Sequence, residues 1–221
     1  MARPAACLFD LDGLLLDTEP LHSLAWSQAA ARFGVSLDEG QLLRLRGRRR
    51  HDCAEQVLAW IAAGGGGCDG VDALLAVRQP IAERLLAQAP PIDGAEALVR
   101  RCHALGVPMA LATSSSRAAV ALKAAPHPWL GLIDTSVHGD DPELAAGKPA
   151  PDVYLLAADR LGVRPTDCWA FEDSPAGARS AAAAGCRVHV LLPPGLSLPE
   201  RARLYPGDWI FLDSLRQVGL A

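Results

Sequence analysis

Ala5-Ala6-Cys7-Leu8-Phe9 is an apolar run that breaks abruptly into Asp10-Leu11-Asp12-Gly13, and the reading of that stretch decides the fold. A short unbroken run of this kind, ended by acid, is the pattern of a strand buried on both faces, as in a parallel sheet covered by helices. Later segments repeat it. Val107 to Ala112 leads into Thr113-Ser114-Ser115-Ser116, and Cys168 to Phe171 ends in Glu172-Asp173. Further strands are expected around Ile133 to Val137 and from Arg187 to Leu192. Helical stretches lie between them: Ala95 to Leu105, one after Ser116, about Pro151 to Leu161, and Pro175 to Ala184. Glycines 106, 162 and 185 close three of these. Strands and helices alternating at this spacing imply βαβ units and a doubly wound sheet.

Residues 20 to 89 read differently. Pro20 suits a first helical turn, Leu21, Leu24, Ala25 and Ala29 give an apolar face, and Gly34 closes the segment. More helices are expected at about 37–45, 52–63 and 71–89, the last kinked or split by Pro80. Four consecutive glycines, Gly64 to Gly67, read as a flexible loop, because no buried strand precedes them as a phosphate loop would need. The expectation is an α/β fold. A doubly wound, Rossmann-like parallel sheet occupies 1–16 and 90–221, and an all-helical insertion occupies 17–89.

Composition bounds the function. The chain has 221 residues, 50% hydrophobic and 21% charged, enough to bury a core and too apolar for intrinsic disorder. No apolar run approaches the roughly 18 residues of a membrane span, and the apolar start is cut by Asp10, Asp12 and Asp17, so no membrane association is expected. A net charge of −4 argues against nucleic acid as a partner. The six cysteines (7, 53, 68, 102, 168 and 186) form no CxxC pair and read as small buried hydrophobes, with the cytoplasm as the expected compartment.

In open α/β sheets, ligands bind outside the carboxyl ends of the strands. The polar residues expected there are Asp10, Asp12, Thr113, Ser114, Glu172 and Asp173, with Lys148 just before a helix. Gathering carboxylates in a buried site is costly unless a cation compensates them. An oxygen-rich site of this kind suits Mg²⁺, which keeps waters and takes a further ligand from a phosphate.

Phe9-Asp10-Leu11-Asp12-Gly13 through Asp17-Thr18-Glu19 resembles the DxDGxxxD(T/S) signature of the haloacid dehalogenase-like superfamily. Thr113-Ser114 is similar to its second motif, Gly147-Lys148-Pro149 with Pro151-Asp152 to its third, and Phe171-Glu172-Asp173-Ser174 to its fourth. The order is right, and the helical block is similar to the cap of the β-phosphoglucomutase branch. Gly139-Asp140-Asp141-Pro142-Glu143 resembles a stretch of pseudouridine-5′-phosphatase-like members. The resemblance implies that Asp10 attacks phosphorus and that Asp12 protonates the leaving oxygen and later deprotonates water. It also implies that Lys148 offsets the phosphate's charge, while Thr113 and Ser114 hold its oxygens. Mg²⁺ ligands implied in the same way are the Asp10 carboxylate, the Asp12 carbonyl and Asp173, with Glu172 either a direct ligand or one step removed. Asp140 and Asp141 are expected to cap and to orient Lys148. Asp12 speaks against a dehalogenase, since a halide needs no proton. The lack of lysine between Asp17 and Pro90 speaks against a phosphonatase, which uses a cap lysine.

Within the cap, Leu45 to Asp52 joins two helices with a basic cluster around Gly47, where relatives carry a substrate-specificity loop. Arg46 and Arg50 are the expected contacts to an anionic substrate, and His22 falls where mutases carry a histidine implicated in cap closure. The reading is a Mg²⁺-dependent phosphatase, expected as a monomer, acting on a small phosphomonoester such as a sugar or nucleoside phosphate. The alternative is a β-phosphoglucomutase-type phosphomutase using the same residues. A phospho-acceptor receiver module shares the acidic pair, Thr/Ser and Lys, but lacks an insertion after the first strand.

Overall fold

The computed structural model describes residues 3–45 and 50–220. These form six strands: β1 (Ala6–Phe9), β2 (Met109–Ala112), β3 (Thr135–Val137), β4 (Cys168–Glu172), β5 (Arg187–Leu191) and β6 (Ile210–Leu212). The helices are α1 (Glu19–Ala31), α2 (Glu39–Leu43), α3 (Arg50–Ala63), α4 (Val71–Leu86), α5 (Ala95–Ala104), α6 (Arg117–Ala124), α7 (Asp152–Arg160), α8 (Pro175–Ala183) and α9 (Leu198–Leu204). The chain divides into two compact units, one holding residues up to Asp17 and from Pro90 onward, the other Thr18–Ala89.

In the first unit all six strands are parallel, in the order β3-β2-β1-β4-β5-β6. The α/β reading therefore holds, with one strand more than expected, since β6 adds an outer edge. Alternate residues of each strand face opposite sides, and both sides are covered. Ala6, Leu8, Ala110, Ala170 and Val188 pack with Val153 and Ala157 of α7 and Ala178 and Ala181 of α8. On the other side the Cys7 thiol meets Cys102 of α5 at 3.9 Å. All six cysteines are free. After β1 the chain builds outward on one side and then, from β4, on the other. The order reverses between β1 and β4, where open sheets of this kind place their ligand sites.

The second unit is helical throughout its described residues, with its own core around Trp26, Val57, Ile61 and Leu74. α1 and α3 both pack on α4. Asp38 caps α2 by accepting the Gln41 N–H at 2.7 Å, and the Gln41 side chain returns the bond. Pro80 does not split α4, which runs from Val71 to Leu86 with the proline inside. The missing N–H costs one helical hydrogen bond, which burial of Leu74, Arg78, Ile81 and Ala82 on one face offsets. No helix among the described residues is long and apolar enough to cross a membrane.

Candidate active site

β1 and β4 lie side by side, Phe9 level with Phe171, so the acids that follow them emerge together. The Asp10 N–H still donates to the Phe171 carbonyl at 3.1 Å, which fixes the Asp10 backbone to the end of the sheet. Gly13 then turns the chain at φ +86°, and a Cβ there would collide with the Asp173 carboxylate, so only glycine allows the approach. Asp10 is 6% exposed and Glu172 fully buried. Lys148, delivered by the loop before α7, donates to Asp10 Oδ1 at 2.6 Å and to Glu172 Oε1 at 2.5 Å. The Tyr154 hydroxyl donates to the same Glu172 oxygen at 2.7 Å, and the Ser174 hydroxyl reaches Oε2 at 3.1 Å.

Burial pushes the Asp10 carboxyl up to about 7; Glu172 and Asp12 add to the rise, and Lys148 opposes it. For Lys148 burial disfavours the ammonium, but Asp10 and Glu172 outweigh it and hold the group above the ordinary lysine range. Asp10, Glu172 and Asp173 offer carboxylate oxygens all within 4.8 Å of one another. Three carboxylates so close, with one ammonium bridging two of them, form an all-oxygen donor set that fits a hard divalent cation. A cleft of about 90 Å³ opens beside them, lined by Thr113, Ser114, Gly139, Gly147 and Lys148 among others. Thr113 is held by its N–H on the Val137 carbonyl, and its hydroxyl accepts the Ser115 N–H at 3.1 Å.

The structure thus brings Asp10, Lys148, Glu172 and Asp173 together, with Thr113 and Ser114 lining the adjoining cleft. Asp12 is answered by a residue that sequence reading missed. Lys123 of α6 donates to both Asp12 oxygens at 2.6 Å, and Ser115 donates to Oδ2 at 2.7 Å. One sequence signal pointed there, because lysine stands at only two positions in the chain, 123 and 148, against nineteen arginines. The expectation that Asp140 and Asp141 orient Lys148 is not met. Asp140 accepts the Arg117 N–H at the start of α6, and the Arg160 guanidinium takes both Asp141 oxygens at 2.7 and 2.9 Å, while Lys148 is held by Asp10 and Glu172. Arg46 lies outside the described residues. Arg50 is exposed on α3 and donates to Gln79 at 3.3 Å. His22 meets Arg78 at 3.1 Å, the latter buried and stacked 4.2 Å over the Trp26 ring. Sequence reading passed over Arg78 because a lone arginine in a helix reads as surface.

A family profile described as haloacid dehalogenase-like hydrolase matches residues 4–185. The chain belongs to that family. Among haloacid dehalogenase-like relatives it is similar to a "Probable pseudouridine-5′-phosphatase" of Drosophila melanogaster, 37% identical over 86% of this chain and 83% of the relative. It is also similar to a β-phosphoglucomutase of Bacillus subtilis, 33% identical over 81% of this chain and 80% of the enzyme. Among solved structures, CbbY from Rhodobacter sphaeroides in complex with phosphate superimposes with a TM-score of 0.75 at 27% identity, covering 98% of this chain and 96% of CbbY.

Proposed function

We propose that this haloacid dehalogenase-like chain is a Mg²⁺-dependent phosphatase that hydrolyses a small phosphomonoester, a sugar or nucleoside phosphate, through an aspartyl-phosphate on Asp10. The observation that carries the reading is the Asp10 carboxylate, buried at the end of β1 with Lys148 at 2.6 Å and the phosphate-sized cleft alongside. An Asp10 oxygen attacks phosphorus, the bond from phosphorus to the leaving oxygen breaks, and Asp12 gives that oxygen its proton. Water then attacks the phosphorus of the aspartyl-phosphate, Asp12 takes the water's proton, and inorganic phosphate and free Asp10 are restored. Lys148 balances the charge of the transferring group, while the Thr113 hydroxyl and Ser114 N–H orient its oxygens. The carboxylates of Asp10, Glu172 and Asp173, with the Asp12 carbonyl, would hold Mg²⁺, which supplies positive charge to a site that must accept an anion.

The helical unit is assigned the role of a cap that selects substrate through Arg46, Arg50 and His22. The reading includes a monomeric cytoplasmic enzyme with no nucleic-acid partner. Its support is the pseudouridine-5′-phosphatase likeness together with a proton-transfer carboxylate, Asp12, that a phosphoester leaving group requires.

The test is release of inorganic phosphate, with and without Mg²⁺, across sugar phosphates, nucleotides and pseudouridine 5′-phosphate. Mg²⁺-dependent release that Asp10→Asn abolishes is expected. No release from any ester by the folded protein would reject hydrolysis and favour the mutase, which uses the same residues and guards its phosphoenzyme from water.

A further inference from the structure

Lysine is nearly absent from this chain, yet both lysines are buried against strand-end carboxylates. Lys148 belongs to the third motif. Lys123 belongs to no motif, stands in the alanine-rich α6, and is 2% exposed. Burying an ammonium is costly unless a carboxylate and further hydrogen bonds answer it. Here Asp12 supplies both oxygens at 2.6 Å and the Ser115 oxygen accepts at 2.8 Å. Ser115 in turn donates to Asp12 Oδ2, so lysine, serine and aspartate close a triangle. The Lys123 side chain is 2% exposed and that of Asp12 23%, so the ammonium grips the carboxylate from the protein side and leaves part of it open. An ammonium has three donors and so can answer two carboxylate oxygens and a hydroxyl at once.

We propose that Lys123, together with Ser115, is a positioning residue that fixes the Asp12 carboxylate in the orientation from which it exchanges protons with the leaving oxygen and then with water. This rests on the proton-transfer role given to Asp12 under the proposed function. A rotating carboxylate loses catalysis steeply, since general acid–base help of about 10²- to 10⁴-fold depends on heavy-atom contact with the proton's destination. Ser115 reaches only Oδ2, so the triangle also makes the two oxygens unequal and removes the freedom to flip.

The test compares two leaving groups. The alkyl phosphate turned over fastest among the sugar and nucleoside phosphates needs its leaving oxygen protonated; p-nitrophenyl phosphate does not. Lys123→Met is expected to slow leaving-group release in a single turnover of the alkyl ester by about 30- to 100-fold and the burst of p-nitrophenolate from the aryl ester by less than about fivefold. The later attack of water, which needs Asp12 as base, slows for both. Ser115→Ala should show the same selectivity with a smaller loss, about three- to tenfold on the alkyl ester. Equal losses in leaving-group release from both esters, a change confined to KM, or unchanged kinetics would each overturn the assignment. If Lys123→Met fails to fold, Ser115→Ala and Lys123→Arg carry the same comparison, and the same three results overturn the assignment. A wild-type protein that hydrolyses no ester, or an Asp10→Asn variant that keeps full rate, would instead sink the phosphatase reading and this assignment with it.

Discussion

Glycine at position 177 matters through its hydrogen. A Cβ there would run into the carboxyl group of Glu172, the buried acid that Lys148, Tyr154 and Ser174 all hold. Gly177→Ala must push that carboxylate out of a packed and fully bonded place, an overpacking cost of about 1–3 kcal/mol. For a chain of this length that lowers Tm by several degrees, about 2–4 °C per kcal/mol. The same displacement should weaken Mg²⁺, so thermal melts with and without the ion check both effects. A variant with wild-type Tm and wild-type Mg²⁺ response would show that Glu172 is not confined. Asp10 and Glu172 themselves were legible, because an apolar run that ends in acid marks both the strand and the side chain at its mouth. Lys123 was not. Nothing local separates a lysine buried against Asp12, 111 residues away, from one on a solvated helix face. Only its rarity in the chain set it apart.

At the scale of elements, five strands were read from the sequence, and β6 was passed over. Trp209-Ile210-Phe211-Leu212 before Asp213 is also an apolar run that ends in acid, but the strand, Ile210–Leu212, is only three residues long and takes its edge place by pairing with β5, which the local pattern does not specify. Of the kink or split expected at Pro80, the split does not occur, since packing on one face of α4 offsets the local penalty. β5 carries a further consequence. His189 lies between Trp169 and Phe171, with ring centroids 4.9 and 4.8 Å away, and its Nδ1 is buried without a hydrogen-bond partner. Burial, aided by Arg187, pushes its pKa down to about 4. Between that value and the ordinary 6.5 the unfolded chain holds a proton that the folded chain lacks, so stability rises with pH. The contribution is full above 6.5 and is lost as pH falls to about 4, on the order of 3 kcal/mol in all. Chemical denaturation at pH 7 and pH 4.5 should show wild type losing more stability than His189→Leu. Equal losses in the two proteins would mean that the imidazole accepts its proton in place.

For the whole molecule, the acidic end of the sheet couples folding, protons and metal. Asp10 has the opposite sign to His189. Its carboxyl is pushed up to about 7 from an ordinary 3.8, chiefly by burial, so the folded chain holds a proton there that the unfolded chain has released. Between those values the metal-free protein loses stability as pH rises, because the ionised Asp10 carboxylate is buried, close to Glu172, and Lys148 offsets this only in part. A divalent cation reverses the balance. Held at Asp10 as in the proposed function, it would compete with the proton for the ionised carboxylate and return the stability that ionisation removed. Mg²⁺ affinity should therefore fall about tenfold for each pH unit below 7, and the rise in Tm given by a fixed Mg²⁺ concentration should be larger at pH 8 than at pH 5.5. Asp10→Asn, which cannot ionise, should reduce the Mg²⁺-induced rise and flatten its pH dependence across this window. A wild-type Mg²⁺ shift equal at the two pH values would place the ion away from Asp10. A shift that keeps its pH dependence in Asp10→Asn would assign the titrating group to a neighbour. The expected pattern, large at pH 8, small at pH 5.5 and flat in the variant, would tie cation binding to Asp10, the nucleophile of the proposed function.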